Sequence, residues 1–284
     1  MSVLSRGEDK NYAAWSSERV IDFYARERHR SDELYDSERA VLVPALERAA
    51  SVLDVGCAAG GFSEVLQSLR PGIRYVGVDV APEMIAEARR RYPAVRFEVS
   101  EGSRLDFPDG SFDLVLCTGV LLHNPDYPGL LRELYRVAAS GCVVDLPRLV
   151  TVPYTFDLAS SHMALQRRFA AGPAQGPGTL GSVVPYVLAQ AQPMFELLLE
   201  QLRPRPRAIA AVGYFGNPHD AAVLPVRPVC FCVVHLAKGD RAVRRTKLLL
   251  DLPEEIAAQI PLDGARRVPG GREMVRQFIQ ELES

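Results

Sequence analysis

Hydrophobic and polar positions change period several times along the chain, and each change marks an element. Val52, Leu53 and Val55 form a short apolar run before a cluster of small residues, Gly56 to Gly61, and Phe62 to Leu69 then takes up helical spacing. The unit is a strand, a glycine turn and a helix. Tyr75 to Val80 is a second short apolar strand. Pro82 to Arg91 is a helix with Met84, Ile85 and Ala88 on one face, and Val95 to Val99 alternates as a third strand. Pro108-Asp109-Gly110-Ser111 signals a turn before the strand Phe112 to Cys117. A helix over Tyr127 to Val137 follows, then the strand Gly141 to Leu146, which Pro147 stops. Strands alternating with helices at this spacing predict an α/β fold around a parallel sheet.

The flanks carry other patterns. Ser16 to Ala49 reads as two or three charged helices, broken near His29-Arg30-Ser31 and at Pro44. Beyond Arg148, helical runs are expected over Phe156 to Ala170 and over Tyr186 to Leu202, the second interrupted at Pro193. Ala208 to Phe215 and Pro228 to Leu236 read as two further strands. The tail contains amphipathic pieces at Leu248 to Ile260 and Arg272 to Leu282, expected outside the core as an oligomer contact or flap, which leaves a homodimer open.

A strand, a glycine turn and a helix put a ligand on bare backbone at a helix N-terminus, where a Cβ would collide or forbid the backbone angle. Asp79, at the tip of the next strand, stands where a carboxylate accepts both hydroxyls of a ribose. An acid there also suits capping of the helix that opens at Pro82. The segment Cys117 to Pro125 follows the fourth strand, and ligands of open parallel sheets bind beyond such strand ends. His123 is its titratable group, a candidate base for an acceptor, with a plain pocket residue as the alternative.

Three successive stretches carry a family resemblance: V-L-D-V-G-C-A-A-G-G, V-G-V-D-V-A-P-E-M-I-A-E-A and D-F-P-D-G-S-F-D-L-V-L-C. Over about Val52 to Asp145 they resemble the motifs of class I S-adenosylmethionine-dependent methyltransferases. The dinucleotide fingerprint G-x-G-x-x-G is absent, which disfavours an NAD enzyme. The resemblance implies a Rossmann-like, doubly wound, seven-stranded sheet whose last strand is antiparallel. It implies five parts: a helical lid (1–50), a cofactor-binding core (51–147), a substrate cap (148–205), strands six and seven (206–240) and a C-terminal extension (241–284). It implies S-adenosyl-L-methionine as cofactor, held by Asp54, Gly56, Cys57, Ala58, Gly60, Asp79, Val80, Met84, Glu101, Gly102, Ser103, Cys117, Thr118 and Gly119. Glu101 replaces the family's shorter aspartate. Arg26, Arg28, Arg30 and Tyr35 are candidates for the methionine carboxylate, Trp15 for a lid residue, and Tyr154, His162 and His219 for acceptor contacts.

Composition narrows the acceptor. The 284 residues carry 33 basic and 35 acidic side chains, a net charge of −2. No global basic field points to nucleic acid, so a small-molecule acceptor is expected, with a sugar or a secondary metabolite as examples and O- or N-methylation as the reaction. RNA or protein methylation, or cofactor binding without transfer, are the competing readings. The five cysteines form no C-x-x-C pair and no His/Cys/Asp cluster stands out, so neither a disulfide framework nor a metal site is expected. The N-terminus lacks the apolar core of a signal peptide and no apolar run reaches membrane-spanning length, so a reducing cytoplasm is the expected compartment.

Overall fold

The computed structural model describes residues 12–101, 104–168, 183–260, 266–267 and 271–283. The central strands are β1 (Ser51–Val55), β2 (Arg74–Asp79), β3 (Arg96–Val99), β4 (Phe112–Cys117) and β5 (Ala138–Asp145). They are all parallel, in the spatial order β3-β2-β1-β4-β5. The chain winds outward from β1 to β3 and returns to β4 on the other side. The crevice between the carboxyl ends of β1 and β4 is therefore the switch point where such sheets bind ligands.

Each strand feeds two apolar layers because successive side chains point to opposite faces. Leu53, Val55, Val115 and Cys117 pack on one side with Leu130, Leu131 and Leu134 of helix α5 (Tyr127–Val137). Val52, Leu114 and Leu116 pack on the other with α2 (Asp36–Leu46) and α3 (Phe62–Leu69). Helix α4 (Pro82–Arg91) flanks β2 and β3, and α1 (Glu18–Arg26) lies against α4. The N-terminal helices break at 29–31 as expected. Pro44 does not end a helix, since it sits in the last turn of α2.

After β5 come β6 (Arg148–Val150), β7 (His162–Ala164), α6 (Leu165–Arg168), β8 (Val183–Pro185), β9 (Leu188–Gln190) and α7 (Ala191–Glu196). The sheet is completed by β10 (Ala208–Gly216) and β12 (Val229–Ala237), between which lies the short β11 (Ala222–Val223). Strand β12 inserts antiparallel between β5 and β10, so the seven expected strands are present and the last of them is antiparallel, as expected.

Several expectations fail here. Residues 156–170 are not one helix: a loop leads into β7, and α6 is a single turn. Residues 186–202 begin as β9, and Pro193 lies in the first turn of α7, where a missing N–H costs nothing. Part of the insertion also joins the main sheet and core. Strand β6 pairs with β12, and Met194, Phe195 and Leu198 fill the core. Only β7, β8 and β11 form a small second sheet, which packs with Trp15, Met84, Leu122 and Tyr186. The loop 172–178 lies outside the described residues.

The tail is likewise part of the core. Strand β13 (Lys247–Asp251) adds parallel to β10 and is followed by α8 (Glu254–Ala257) and the edge strand β14 (Arg266–Arg267). Helix α9 (Arg272–Glu283) lies on α2, with Val275 and Ile279 fully buried. Its amphipathic stripe was visible in sequence. The edge of β10 that the tail covers was not.

Candidate active site

The turn after β1 is held by geometry that only small residues allow. Gly56 has φ +85°, and a Cβ there would meet Val120 Cγ2 at 2.1 Å. Ala58 also adopts a left-handed φ of 47°. Asp79 fixes the turn from the neighbouring strand, its Oδ2 accepting from Ala58 N at 2.9 Å and its Oδ1 from Ala81 N at 2.9 Å. Asp79 thus ties the glycine turn to Ala81, the N-cap residue of α4, but does not itself cap that helix, whose N-terminus has no side-chain cap. Two of its lone-pair positions are engaged, and a carboxylate has about four. Burial pushes its pKa up, and the backbone N–H groups of Ala81, Ala58 and Val80 oppose that shift.

A cavity of about 210 Å³ opens over this turn. It is lined by Asp54, Gly56, Cys57 and Ala58 from the turn and by Asp79, Val80 and Met84 from the second unit. Glu101, Thr118, Gly119 and His123 complete the expected wall. Two expected residues do not line it. The Cys117 side chain points into the core and is fully covered, because it alternates with Thr118 at the end of β4. Gly60 serves packing instead: a Cβ there would lie 2.7 Å from Phe97 Cζ. Gly102 and Ser103 lie outside the described residues.

Of the four N-terminal candidates for an anionic ligand, only Arg28 lines the cavity. Arg26 and Arg30 point outward with side chains 78% and 71% exposed, and Tyr35 is mostly exposed. Arg28 Nη2 donates to both oxygens of buried Glu38 at 2.8 Å, and its guanidinium lies 4.5 Å from the Phe62 ring. Its Nε is buried and makes no hydrogen bond among the described residues. Such an orphan is costly unless a ligand satisfies it. Asp54 is also buried, accepts from Tyr75 Oη at 2.6 Å, and has its pKa raised to about 7 by burial.

His123 faces the cavity from the turn after β4. The carbonyl oxygen of Pro185 lies 2.7 Å from Nδ1 and accepts its proton, which leaves Nε2 as an acceptor with no partner among the described residues. The ring packs edge-on against Trp15 at 5.0 Å and Tyr186 at 5.8 Å. Burial lowers its pKa to about 4, so it is neutral at physiological pH.

Residues 53–144 match the family profile for the methyltransferase domain. The chain is 41% identical over 102 residues to demethylmenaquinone methyltransferase of Thermus thermophilus, covering 34% of this chain and 46% of that protein. It is 37% identical over 130 residues to trans-aconitate 2-methyltransferase of Methylobacterium nodulans, covering 45% and 47%. The matches thus span about half the length of these relatives. A SAM-dependent methyltransferase structure from Thermotoga maritima aligns over 80% of this chain and 100% of its own at 18% identity and a TM-score of 0.47.

The three residues expected to contact an acceptor lie away from the cavity. Tyr154 packs against Val150, Leu188 and Val229. His162 on β7 has Nδ1 2.8 Å from Leu158 O. His219 Nδ1 accepts from Ala221 N at 3.0 Å within its own loop. The first two were expected in a cap over the acceptor and the third in a ligand-side loop. The residues the sequence did not single out include Tyr24, Glu27, Phe62 and Asn124, which line the cavity, and Arg148 and Tyr186 beside it. Trp15, foreseen as a lid or packing residue, lines the cavity against His123. The one available signal was an arginine directly after strand five, a strand end on the ligand side of the sheet.

Proposed function

We propose that the chain transfers a methyl group from S-adenosyl-L-methionine to a small-molecule acceptor. The observation that carries this reading is the meeting, over one glycine turn, of a carboxylate with spare acceptor positions and a buried guanidinium with an unbonded Nε. The donor set fits the cofactor. Asp79 would hold the ribose hydroxyls, Arg28 the methionine carboxylate, and Met84 and Glu101 the adenine. Bound there, the cofactor supplies a methyl group already activated by a positively charged sulfur.

The protein's own work is then alignment in a water-poor space, worth on the order of 7–11 kcal/mol in favourable cases. Trp15, Tyr24 and Leu130 wall the cavity and exclude water. The acceptor's lone pair bonds to the methyl carbon as the carbon–sulfur bond breaks, with its electrons remaining on sulfur. His123 Nε2 orients the acceptor group and receives its proton, with Nδ1–H fixed on Pro185. All five cysteines are free and buried, which suits a reducing cytoplasm. Among the described residues, no helix is long and apolar enough to cross a membrane.

Titration with S-adenosylhomocysteine, followed by incubation with methyl-labelled cofactor and a metabolite extract, tests the reading. Binding with label transferred to small molecules is the expected result. Binding without turnover would favour a cofactor sensor, and absence of binding would end the proposal.

A further inference from the structure

The ligand edge of the sheet continues past the cofactor turn. The carboxyl ends of β5 and β10 and the start of β12 bring Asp145, Tyr214, Phe215 and Phe231 to the same side as His123. Arg148, first residue of β6, is the charged group at their centre, and all but 8% of its surface is covered. Its Nη1 donates to Asp145 Oδ1 at 2.9 Å and its Nε to Tyr186 Oη at 3.2 Å. The guanidinium lies over the Phe231 ring at 4.2 Å. Nη2 makes no hydrogen bond among the described residues, so the fork keeps donors to spare.

Apolar walls adjoin this cation. Tyr214 stacks on Phe231 with ring planes 6° apart and centroids 5.4 Å apart. Tyr214 and Phe215 are 39% and 38% exposed, unusual for aromatic residues at a strand end and consistent with a surface that something planar covers. Tyr186 links the two groups, since its hydroxyl meets Arg148 while its ring meets that of His123.

We propose that the acceptor is a planar aromatic acid, its carboxylate on Arg148, its ring against the Phe231 and Tyr214 walls, and its nucleophilic oxygen or nitrogen at His123 Nε2. This rests on the methyl-transfer reading of the cavity and assigns its acceptor class. A buried guanidinium pairs best with a carboxylate, through charge-assisted and often bidentate bonds. Aromatic walls favour a ring over a sugar, whose hydroxyls would each need a partner. The weak basicity of His123 points the same way, because it suits an amine lone pair or an acidic phenol rather than an aliphatic alcohol.

The experiment uses the full chain with methyl-labelled S-adenosylmethionine and five probes: 4-hydroxybenzoate, 4-aminobenzoate, their two carboxamides, and glucose. Calorimetry with S-adenosylhomocysteine runs alongside. Label on an acid is expected, with kcat/KM for its carboxamide at least about tenfold lower, the scale of a lost hydrogen bond to a charged group. Arg148→Lys should raise KM for the acid by about tenfold or more while leaving S-adenosylhomocysteine affinity unchanged. Tyr214→Ala is half exposed and should fold in any case, and it should raise the same KM by about fivefold. Carboxamides or glucose used as well as the acids, no acid methylated by a protein that binds S-adenosylhomocysteine, or an unchanged KM in Tyr214→Ala would each overturn the acceptor assignment. Failure to bind S-adenosylhomocysteine would instead remove the methyl-transfer reading beneath it.

Discussion

The two sides of the cavity are built from different materials. On the cofactor side the wall is largely main chain, drawn from one strand–turn–helix unit and the strand beside it, with Gly56 and Ala58 in left-handed conformations and Asp79 bonding to two backbone N–H groups. On the side proposed for the acceptor the wall is made of side chains from distant segments, Trp15 and His123, backed by Tyr186 and Arg148 and followed by the stacked Phe231 and Tyr214. Backbone-built surfaces restrict residue type at close spacing and leave a motif. A surface built from side chains restricts only where strands end, and many residues can serve there.

The comparison implies that damage on the cofactor side should abolish binding, while damage on the acceptor side should leave binding and reduce turnover. Gly56→Val should have the largest effect. Its Cβ would overlap Val120 at a backbone angle that a branched residue adopts at a cost of roughly 1–2 kcal/mol before any clash is counted. Calorimetry should detect no S-adenosylhomocysteine binding, and near-normal affinity would show that the turn is not the seat of the ligand.

His123→Ala tests the other side. It should lower kcat by about 10²-fold, the low end for a group that receives a proton in the transition state, with cofactor affinity unchanged. The wild-type rate should be flat above about pH 5, because the neutral form of a histidine with a pKa of about 4 is already complete there. A rate that rises through pH 6.5 would contradict the buried, neutral imidazole.

Asp79→Ala should weaken S-adenosylhomocysteine binding by about 10- to 100-fold, corresponding to roughly 1.4–2.8 kcal/mol, while KM for the acceptor stays the same. Equal losses at both sites would mean that the two sides are not separable. A smaller effect concerns Asp54. Its pKa rises from 3.8 to about 7 on folding through burial, so the folded protein holds a proton that the unfolded chain has lost between those values. That contribution is complete below about pH 4 and disappears as pH rises through about 7. The melting-temperature advantage of wild type over Asp54→Asn should therefore shrink from pH 5 to pH 8, and a constant difference would argue against a protonated Asp54. Cys117→Ala should have the least effect on function. Removing this core thiol should lower stability by about 1 kcal/mol and leave cofactor affinity unchanged.

The same contrast runs through the fold. The parallel half of the sheet was legible because short apolar runs, turn residues and helical stripes agree with one another from Ser51 to Asp145. From Arg148 onward they do not. Apolar runs of helical length became a π-helical turn at Leu197–Gln201 and strands of three residues, because β6 offered unpaired backbone to β9, and β8 and β11 offered it to β7, which a local helix could not satisfy. Tyr154, His162 and His219 looked like acceptor contacts by their chemistry alone, yet local bonds and apolar packing turn them elsewhere.

What the amino-acid sequence determined by itself was the half of the site proposed for the cofactor: the glycine turn, the acid at the next strand tip, and the alternation of strands and helices around them. These follow from local sterics and period, which act within a few residues. Only the tertiary structure decided that Arg28 rather than Arg26 or Arg30 enters the cavity, that Cys117 leaves it, that the tail extends the sheet, and that Tyr186 links Arg148 to His123. Those outcomes depend on burial and on unpaired partners brought together from remote parts of the chain, which no local pattern records.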